Sequence, residues 1–157
     1  MIKVLFICHG NICRSPMAEF LMKDLARKRG LEGEFEIASA AISREEIGNP
    51  VYPPARRKLA SVGIDTRGKY ARQVSIADYA RYDYLIVMDS YNLRSLRRII
   101  PRDPEGKIFR LLDVTERPRD IADPWYTDDF DTAFDEISEG VQAWMEKLIR
   151  EGLVRRA

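Results

Sequence analysis

Histidine, cysteine and long apolar runs are all scarce in this chain of 157 residues. One histidine and two cysteines are too few for a disulfide framework or a histidine-rich metal centre. Lys and Arg total 26 against 25 for Asp and Glu, which argues against a nucleic-acid-binding surface. The N-terminal apolar run is too short for a secretory or membrane-spanning segment. We therefore expect a cytoplasmic, monomeric protein with no metal, no cofactor, no nucleic-acid partner and no membrane contact.

Apolar strands alternate with amphipathic helices along the chain. This alternation predicts one α/β domain over residues 1–157, with three layers: a central four-stranded parallel sheet and helices on both faces. Cys8, Ser39 and Asp89 fall at the carboxyl ends of predicted strands, where such sheets bind ligands. Strands are predicted over 4–7, 34–39, 84–88 and 107–111, and helices over 16–29, 54–62, through Leu93–Ile100 up to Pro101, and along the C-terminal segment that carries Phe134, Ile137, Val141, Trp144, Leu148 and Ile149.

The most informative segment is residues 8–16, Cys-His-Gly-Asn-Ile-Cys-Arg-Ser-Pro, between the first strand and the first helix. Ser15 before Pro16 is typical of a helix start, because Ser caps helices and Pro suits the first turn. The free N–H groups and the dipole of a helix N-terminus favour an anion. Gly10 and Asn11 tolerate left-handed backbone angles, which turn successive N–H groups inward. The segment therefore predicts a phosphate-binding loop.

Two side chains in this loop carry chemistry. Arg14 offers parallel donors to two oxygens of a phosphate group. The same positive environment favours the reactive thiolate form of Cys8. No residue of the loop is a carboxylate that would repel an anion. The predicted reaction is phosphoryl transfer to the sulfur of Cys8.

The segment Asp123-Pro124-Trp125-Tyr126 supplies the best candidate for a general acid. A phenolate is a poor leaving group, since a phenol such as tyrosine has a pKa of about 10, and a positioned carboxyl group helps it to depart. Pro124 restricts Asp123 to extended backbone angles. The two aromatic residues offer flat surface for a phenyl ring. The alternative is a simple Asp-Pro turn with its aromatic side chains packed on the core.

The loop at residues 8–16 resembles the signature loop of the low-molecular-weight protein tyrosine phosphatases, and the Asp-Pro-aromatic-aromatic segment resembles their acid loop. The resemblance implies that the protein hydrolyses aryl phosphate monoesters, in a phosphotyrosine-containing protein or a small aryl phosphate, through a cysteinyl-phosphate intermediate. It implies Cys8 as nucleophile, Arg14 as phosphate ligand and Asp123 as general acid. No metal or cofactor is needed.

The resemblance also implies supporting roles around the nucleophile. The Ser15 hydroxyl donates to the Cys8 sulfur, and Asn11 holds the loop in shape with Ser39 as its partner. Substrate-cleft positions are Glu45, Trp125 and Tyr126. Phosphate-binding and loop-support positions are His9, Gly10, Asn11, Ile12, Cys13, Ser15, Ser39 and Asp89.

Three of these positions keep two interpretations open. Asp89 resembles the acid that supports the loop arginine, and it is equally suited to cap a helix near Tyr91. Cys13 either forms a reversible disulfide with Cys8, as the resemblance implies, or is a small buried apolar residue. His9 either contacts substrate or fills space, and the second interpretation is favoured.

The sequence departs from the family pattern at the rim of the cleft and behind it. Glu45 stands where the family usually has Trp or Tyr, which removes one wall and disfavours acidic peptides, unless Tyr52 substitutes. Gly68-Lys69-Tyr70 occupies the segment where the family often has His, so that hydrogen-bond network must differ.

Three competing functions remain to be weighed. Arsenate reduction needs further cysteines, and none follows Cys13. Phosphoarginine hydrolysis is typical of relatives with Thr where this chain has Ile12, whose apolar side chain favours an aryl group. A non-catalytic phosphate-binding module would not require the nucleophile and the acid together.

Overall fold

The computed structural model describes residues 1–152 and contains one parallel sheet. The strands are β1 Ile2–Cys8, β2 Phe35–Ala41, β3 Tyr84–Val87 and β4 Ile108–Arg110. The α-helices are α1 Arg14–Lys28, α2 Pro53–Ala60, α3 Ala77–Arg81, α4 Ser90–Leu96, α5 Pro124–Thr127 and α6 Phe130–Arg150, with 3₁₀ turns at Glu32–Glu34 and Leu111–Val114.

The sheet has the order β2-β1-β3-β4, and every pair of neighbouring strands is parallel. Alternate residues of β1 point to opposite faces: Val4 and Phe6 join the core beneath α1 and α6, while Leu5 and Ile7 join the core on the other face. A strand covered on both faces needs an uninterrupted apolar run, which is what the sequence carries. The predicted three-layer α/β fold is confirmed.

The longest helix, α6, packs on α1 and closes one face of the sheet. Trp144 is fully buried there, and its Nε1 donates a hydrogen bond to the carbonyl oxygen of Leu111 at 3.0 Å. Gly140 permits this close approach, because a Cβ atom at that position would lie 2.5 Å from Leu111 Cγ. Within residues 1–152, no helix has the length and apolar character required to span a bilayer.

Predicted ends are wrong for three helices. Helix α2, predicted over 54–62, ends at Ala60. Helix α1 begins at Arg14, so Ser15 is its second residue rather than its cap, and its side chain is free for other contacts. Pro16 is tolerated because the N–H groups of the first helical turn have no acceptors within the helix, so the missing N–H of proline costs no hydrogen bond. Helix α4 ends at Leu96, and the chain continues to Ile100 in turns, since Pro101 disfavours helical angles in the residue before it.

Predicted strand ends are also wrong. Strand β1, predicted over 4–7, spans Ile2–Cys8. Strand β2 continues to Ala41, so Ser39 lies inside the strand, in register with Phe6, and not at its carboxyl end. The short helices α3 and α5 were not predicted, because segments of five and four residues are too short to repeat the helical period.

Candidate active site

The phosphate-binding loop lies between β1 and α1, where β1 separates β2 from β3. Parallel sheets bind ligands at such a point, because the connections from neighbouring strands run to opposite sides and leave a crevice at the carboxyl ends of the strands. Three loop carbonyl oxygens accept backbone hydrogen bonds from an adjacent segment: Cys8 from Ile42, His9 from Ser43, and Ile12 from Tyr52, at 2.9–3.0 Å. The loop is therefore held from outside by its carbonyl groups.

The N–H groups of the loop are correspondingly free. Among residues 1–152, none of the backbone N–H groups of residues 10–14 has an acceptor in the protein, and that of Ser15 points to Cys8 Sγ at 3.4 Å. Asn11 adopts a left-handed conformation with φ 58°. Gly10, expected to do the same, does not, and a side chain there would contact Glu46. Consecutive free N–H groups around one sulfur form an anion-binding nest.

Cys8 is buried at the end of β1 and contacts a second polar side chain. Its Sγ lies 3.0 Å from Ser15 Oγ. Asn11 Nδ2 donates to both Ser15 Oγ and Ser39 Oγ, at 2.8 and 2.9 Å. The structure therefore brings Cys8 together with Ser15, Asn11 and Ser39, the three side chains predicted to support it through hydrogen bonds.

Arg14 is 2% exposed and is oriented by the protein on one side. Its Nη1 donates to Asp89 Oδ2 at 2.6 Å and to the Ile121 carbonyl oxygen at 2.7 Å. Burial opposes the charge, but Cys8, Asp123 and Asp89 outweigh it and raise the pKa of the guanidinium. Asp89 fits both interpretations made for it, since its other oxygen accepts from the backbone N–H at the start of α4.

Asp123, in the segment before α5, lies near the guanidinium of Arg14 as well. It lies before α5 with extended backbone angles, and its Oδ1 accepts from the Trp125 N–H at 3.0 Å. Its Oδ2 lies 3.4 Å from Arg14 Nη2. A cleft of about 100 Å³ is lined by both residues and by Cys8. The carboxylate and the sulfur therefore face one small volume.

A comparison with known proteins agrees with this geometry. The family model described as "Low molecular weight phosphotyrosine protein phosphatase" matches residues 3–154. The chain belongs to this family. It is therefore a cysteine-dependent protein tyrosine phosphatase, as the sequence predicted.

Individual relatives align with nearly the whole length of this phosphatase. Low molecular weight protein-tyrosine-phosphatase YfkJ of Bacillus subtilis is 42% identical over 153 residues, which cover 96% of this chain and 98% of the relative. The crystal structure of YfkJ matches with a TM-score of 0.93 over 96% of each chain. The crystal structure of a Drosophila arginine phosphatase matches with a TM-score of 0.85 at 29% identity, over 93% of this chain and 97% of that chain.

The rim of the cleft in this phosphatase has an acidic side and an aromatic side. Glu45 and Glu46 line the acidic side, and Trp125 and Tyr126 line the aromatic side. His9 also lines the cleft, with its side chain 38% exposed and its Nε2 3.2 Å from Glu45 Oε2. His9 is therefore not a space-filling residue.

Tyr52 supports the aromatic side from behind. Its ring centroid lies 5.0 Å from that of Trp125 and 6.1 Å from that of Phe130. It does not line the cleft, so it does not replace the missing aromatic residue at Glu45. Ile12 does line the cleft and gives it an apolar side chain.

Cys13 is a free, buried thiol in the same cleft. Burial raises the pKa of this thiol, and the nearby charges of Cys8 and Asp123 add to the effect.

Sequence reasoning missed three polar residues around the loop. Glu19 accepts from the Ser39 hydroxyl, Lys69 pairs with Glu19, and the backbone N–H of Arg72 donates to Asn11 Oδ1. The altered segment at residues 68–70 was the only signal of this difference. Among residues 1–152, no group of three or more His, Cys, Asp and Glu is arranged to hold a metal ion, and a metal-free reaction stays a prediction.

A larger cavity, of about 550 Å³, lies between α1, β2 and the loop after α2. No cysteine lines it, and its side chains are a mixture of apolar and oppositely charged groups. Chemistry rather than size therefore makes the cleft at Cys8 the candidate active site.

Proposed function

We propose that this protein hydrolyses phosphotyrosine, with Cys8 as nucleophile, Arg14 as phosphate ligand and Asp123 as general acid. The observation that carries the assignment is the common cleft of these three side chains, together with the free N–H groups around the sulfur. An anion bound there would have donors on its equatorial oxygens and the sulfur behind its phosphorus atom.

The residues suit a two-step reaction. Cys8 Sγ attacks phosphorus, the bond to the aryl oxygen breaks, and that oxygen takes a proton from Asp123. Water then attacks the cysteinyl phosphate while Asp123 takes its proton, and the sulfur–phosphorus bond breaks to release inorganic phosphate.

The assignment of the nucleophile is tested by Cys8→Ser. The variant should lose turnover, since a serine hydroxyl is not ionised at neutral pH, yet keep binding of vanadate or phosphate through Arg14 and the loop. Turnover is measured with an aryl phosphate, and binding by calorimetry. Appreciable hydrolysis by the variant would remove Cys8 from the mechanism.

The acidic rim favours a second candidate, protein-arginine phosphatase activity. Among the described residues, no Lys or Arg forms an ion pair with Glu45 or Glu46, so both are available to a cationic group of a substrate. The apolar Ile12 in the same cleft favours an aryl group instead. We therefore rank phosphotyrosine first.

Matched peptides that carry phosphotyrosine, phosphoarginine or phosphoserine decide between the two activities by their kcat/KM. Faster turnover of phosphoarginine would reverse the ranking. In the phosphotyrosine series, Glu45→Gln should raise kcat/KM for acidic peptides by no more than about fivefold, because exposed charge pairs contribute at most about 1 kcal/mol. Added salt should reduce the difference.

We also propose phosphoproteins as substrates in a cytoplasmic setting, with the whole chain acting as one monomeric domain. Family membership supports the phosphoprotein substrates. The free thiols of both cysteines suit a reducing compartment. Light scattering in solution tests the monomer, and a stable dimer would contradict it.

A further inference from the structure

Two charged side chains outside the mechanism lie buried behind the phosphate-binding loop. Glu19 projects from the second turn of α1 and is 4% exposed. The side chain of Lys69, between α2 and α3, is 14% exposed. Lys69 Nζ lies 3.3 Å from Glu19 Oε1 and donates to the Ser39 carbonyl oxygen at 2.9 Å. Buried charges are costly unless they are paired, and removal of one partner leaves the other buried without a counter-charge.

A continuous line of hydrogen bonds connects this pair to the nucleophile. The Ser39 hydroxyl donates to Glu19 Oε1 at 2.5 Å. Asn11 Nδ2 donates to Ser39 Oγ at 2.9 Å and to Ser15 Oγ at 2.8 Å. Ser15 Oγ in turn lies 3.0 Å from Cys8 Sγ. Every residue in the line is buried, with at most 4% of its surface exposed, so water competes little for these bonds.

The charge of Glu19 gives the line a direction. An ionised carboxylate only accepts hydrogen bonds, so the one hydroxyl hydrogen of Ser39 points to Glu19. Ser39 Oγ then accepts from Asn11 Nδ2, an orientation that the Arg72 N–H also favours by donating to Asn11 Oδ1 at 3.3 Å. Ser15 Oγ accepts from the same amide, which leaves its own hydrogen for the sulfur of the nucleophile.

A neutral Glu19 would allow the opposite direction. Its carboxyl O–H could donate to Ser39, whose hydrogen would then turn toward Asn11. The amide would present its oxygen to the two hydroxyl groups, and Ser15 would donate to that oxygen instead of to sulfur. A thiolate that loses this donor is less stable, because hydrogen bonds to charged groups are the stronger ones.

We propose that Lys69 is a positioning residue that keeps Glu19 ionised. Through that charge, it directs the Ser15 hydroxyl toward the thiolate of Cys8. The inference rests on the proposed role of Cys8 as the nucleophile.

Other charged groups face the same residues. Lys23, on the same helix as Glu19, donates to Glu19 Oε2 at 2.6 Å, but its side chain is 46% exposed, so water screens its charge. Burial lowers the pKa of Lys69, Glu19 opposes that change, and Arg72 and Lys23 add to it. Around the nucleophile, the charged and titratable groups are Arg14, Cys13 and Asp123, and His9, Glu45 and Glu46 line the same cleft.

Lys69 and Lys23 form a matched pair for an experiment, because both contact the same carboxylate and only one is buried. We would compare Lys69→Met, Lys69→Arg and Lys23→Met in a Cys13→Ala background, where Cys8 is the only thiol. The rate of alkylation of Cys8 by iodoacetamide is measured across pH. Lys69→Met should move the midpoint upward by about one pH unit, or slow alkylation about tenfold below both midpoints. The other two variants should keep the original midpoint.

Three results would overturn the inference: an unchanged midpoint in Lys69→Met, an equal shift in Lys23→Met, or the same shift in Lys69→Arg. A fall in kcat with an unchanged midpoint would indicate a structural role only. If thermal unfolding shows that Lys69→Met does not fold, Lys69→Gln takes its place, because Gln keeps a hydrogen-bond donor without the charge. That variant must then show the upward shift in the alkylation midpoint. If the parent protein is alkylated only at the pH of an ordinary thiol, the role of Cys8 fails instead.

Discussion

Replacement of Asp123 by Asn tests the general acid with little change in structure. Asn keeps the oxygen that accepts from the Trp125 N–H, so the start of α5 retains its cap. The contact that changes, at 3.4 Å from Arg14 Nη2, is partly exposed, and Arg14 keeps its bonds to Asp89 and Ile121. We expect the free energy of unfolding to change by less than about 1 kcal/mol.

The expected kinetic effect depends on the leaving group. A positioned acid contributes about 10²–10⁴-fold, or about 3–5 kcal/mol, when the departing oxygen would otherwise leave as an unstable anion. Phenyl phosphate, whose phenol has a pKa of about 10, should therefore lose rate by this factor in Asp123→Asn. Aryl phosphates with strongly electron-withdrawing groups should lose much less.

Single-turnover kinetics with enzyme in excess isolates the first step, since phenol release precedes hydrolysis of the cysteinyl phosphate. Asp128→Asn is the matched control. Asp128 is exposed in the same segment, at a left-handed φ of 59° that Asn also adopts. It should keep parental rates. An equal loss for good and poor leaving groups in Asp123→Asn would refute the acid role.

Two further predictions concern stability. Gly140→Ala should lower the free energy of unfolding, measured by urea denaturation, by about 1–2 kcal/mol, because crowding against Leu111 exceeds the gain of about 1 kcal/mol in helix propensity. In a Leu111→Ala background, the same substitution should raise the free energy of unfolding. Additive effects of the two substitutions would contradict the contact. Burial disfavours the charge of Asp103, but hydrogen bonds from the Tyr79 hydroxyl and the Lys107 N–H outweigh it and lower its pKa. A lowered pKa stabilises the fold above the ordinary aspartate range, so Asp103→Asn should be less stable than the parent at neutral pH and equal to it in acid, and a pH-independent difference would exclude this cause.

Local patterns were sufficient for much of the fold and for the centre of the site. The nucleophile and Arg14 lie within seven consecutive residues, and the apolar period of α6 runs through Trp144, so neighbouring residues carried the information. The end of α4 was misjudged because Ile99 and Ile100 continue the apolar period after the helix has become a series of turns.

Contacts between distant segments could not be predicted in the same way. Ser39 meets Glu19 across 20 positions and Lys69 across 30, and these contacts exist only because β2 pairs with β1 in one register. Nothing local distinguishes a buried Glu on α1 from an exposed one. Sequence showed only that the segment around Lys69 departs from the family, not what it contacts.

The backbone bonds that hold the loop from outside have a consequence for the end of the catalytic cycle. Because neighbouring N–H groups hold the carbonyl oxygens of Cys8, His9 and Ile12, the nest does not have to be ordered when an anion enters. A preorganised site loses little conformational entropy on binding, whichever anion arrives. Inorganic phosphate presents the same equatorial oxygens as a substrate. We therefore expect competitive product inhibition, so that turnover in a cell would depend on the free phosphate concentration as well as on the phosphoprotein.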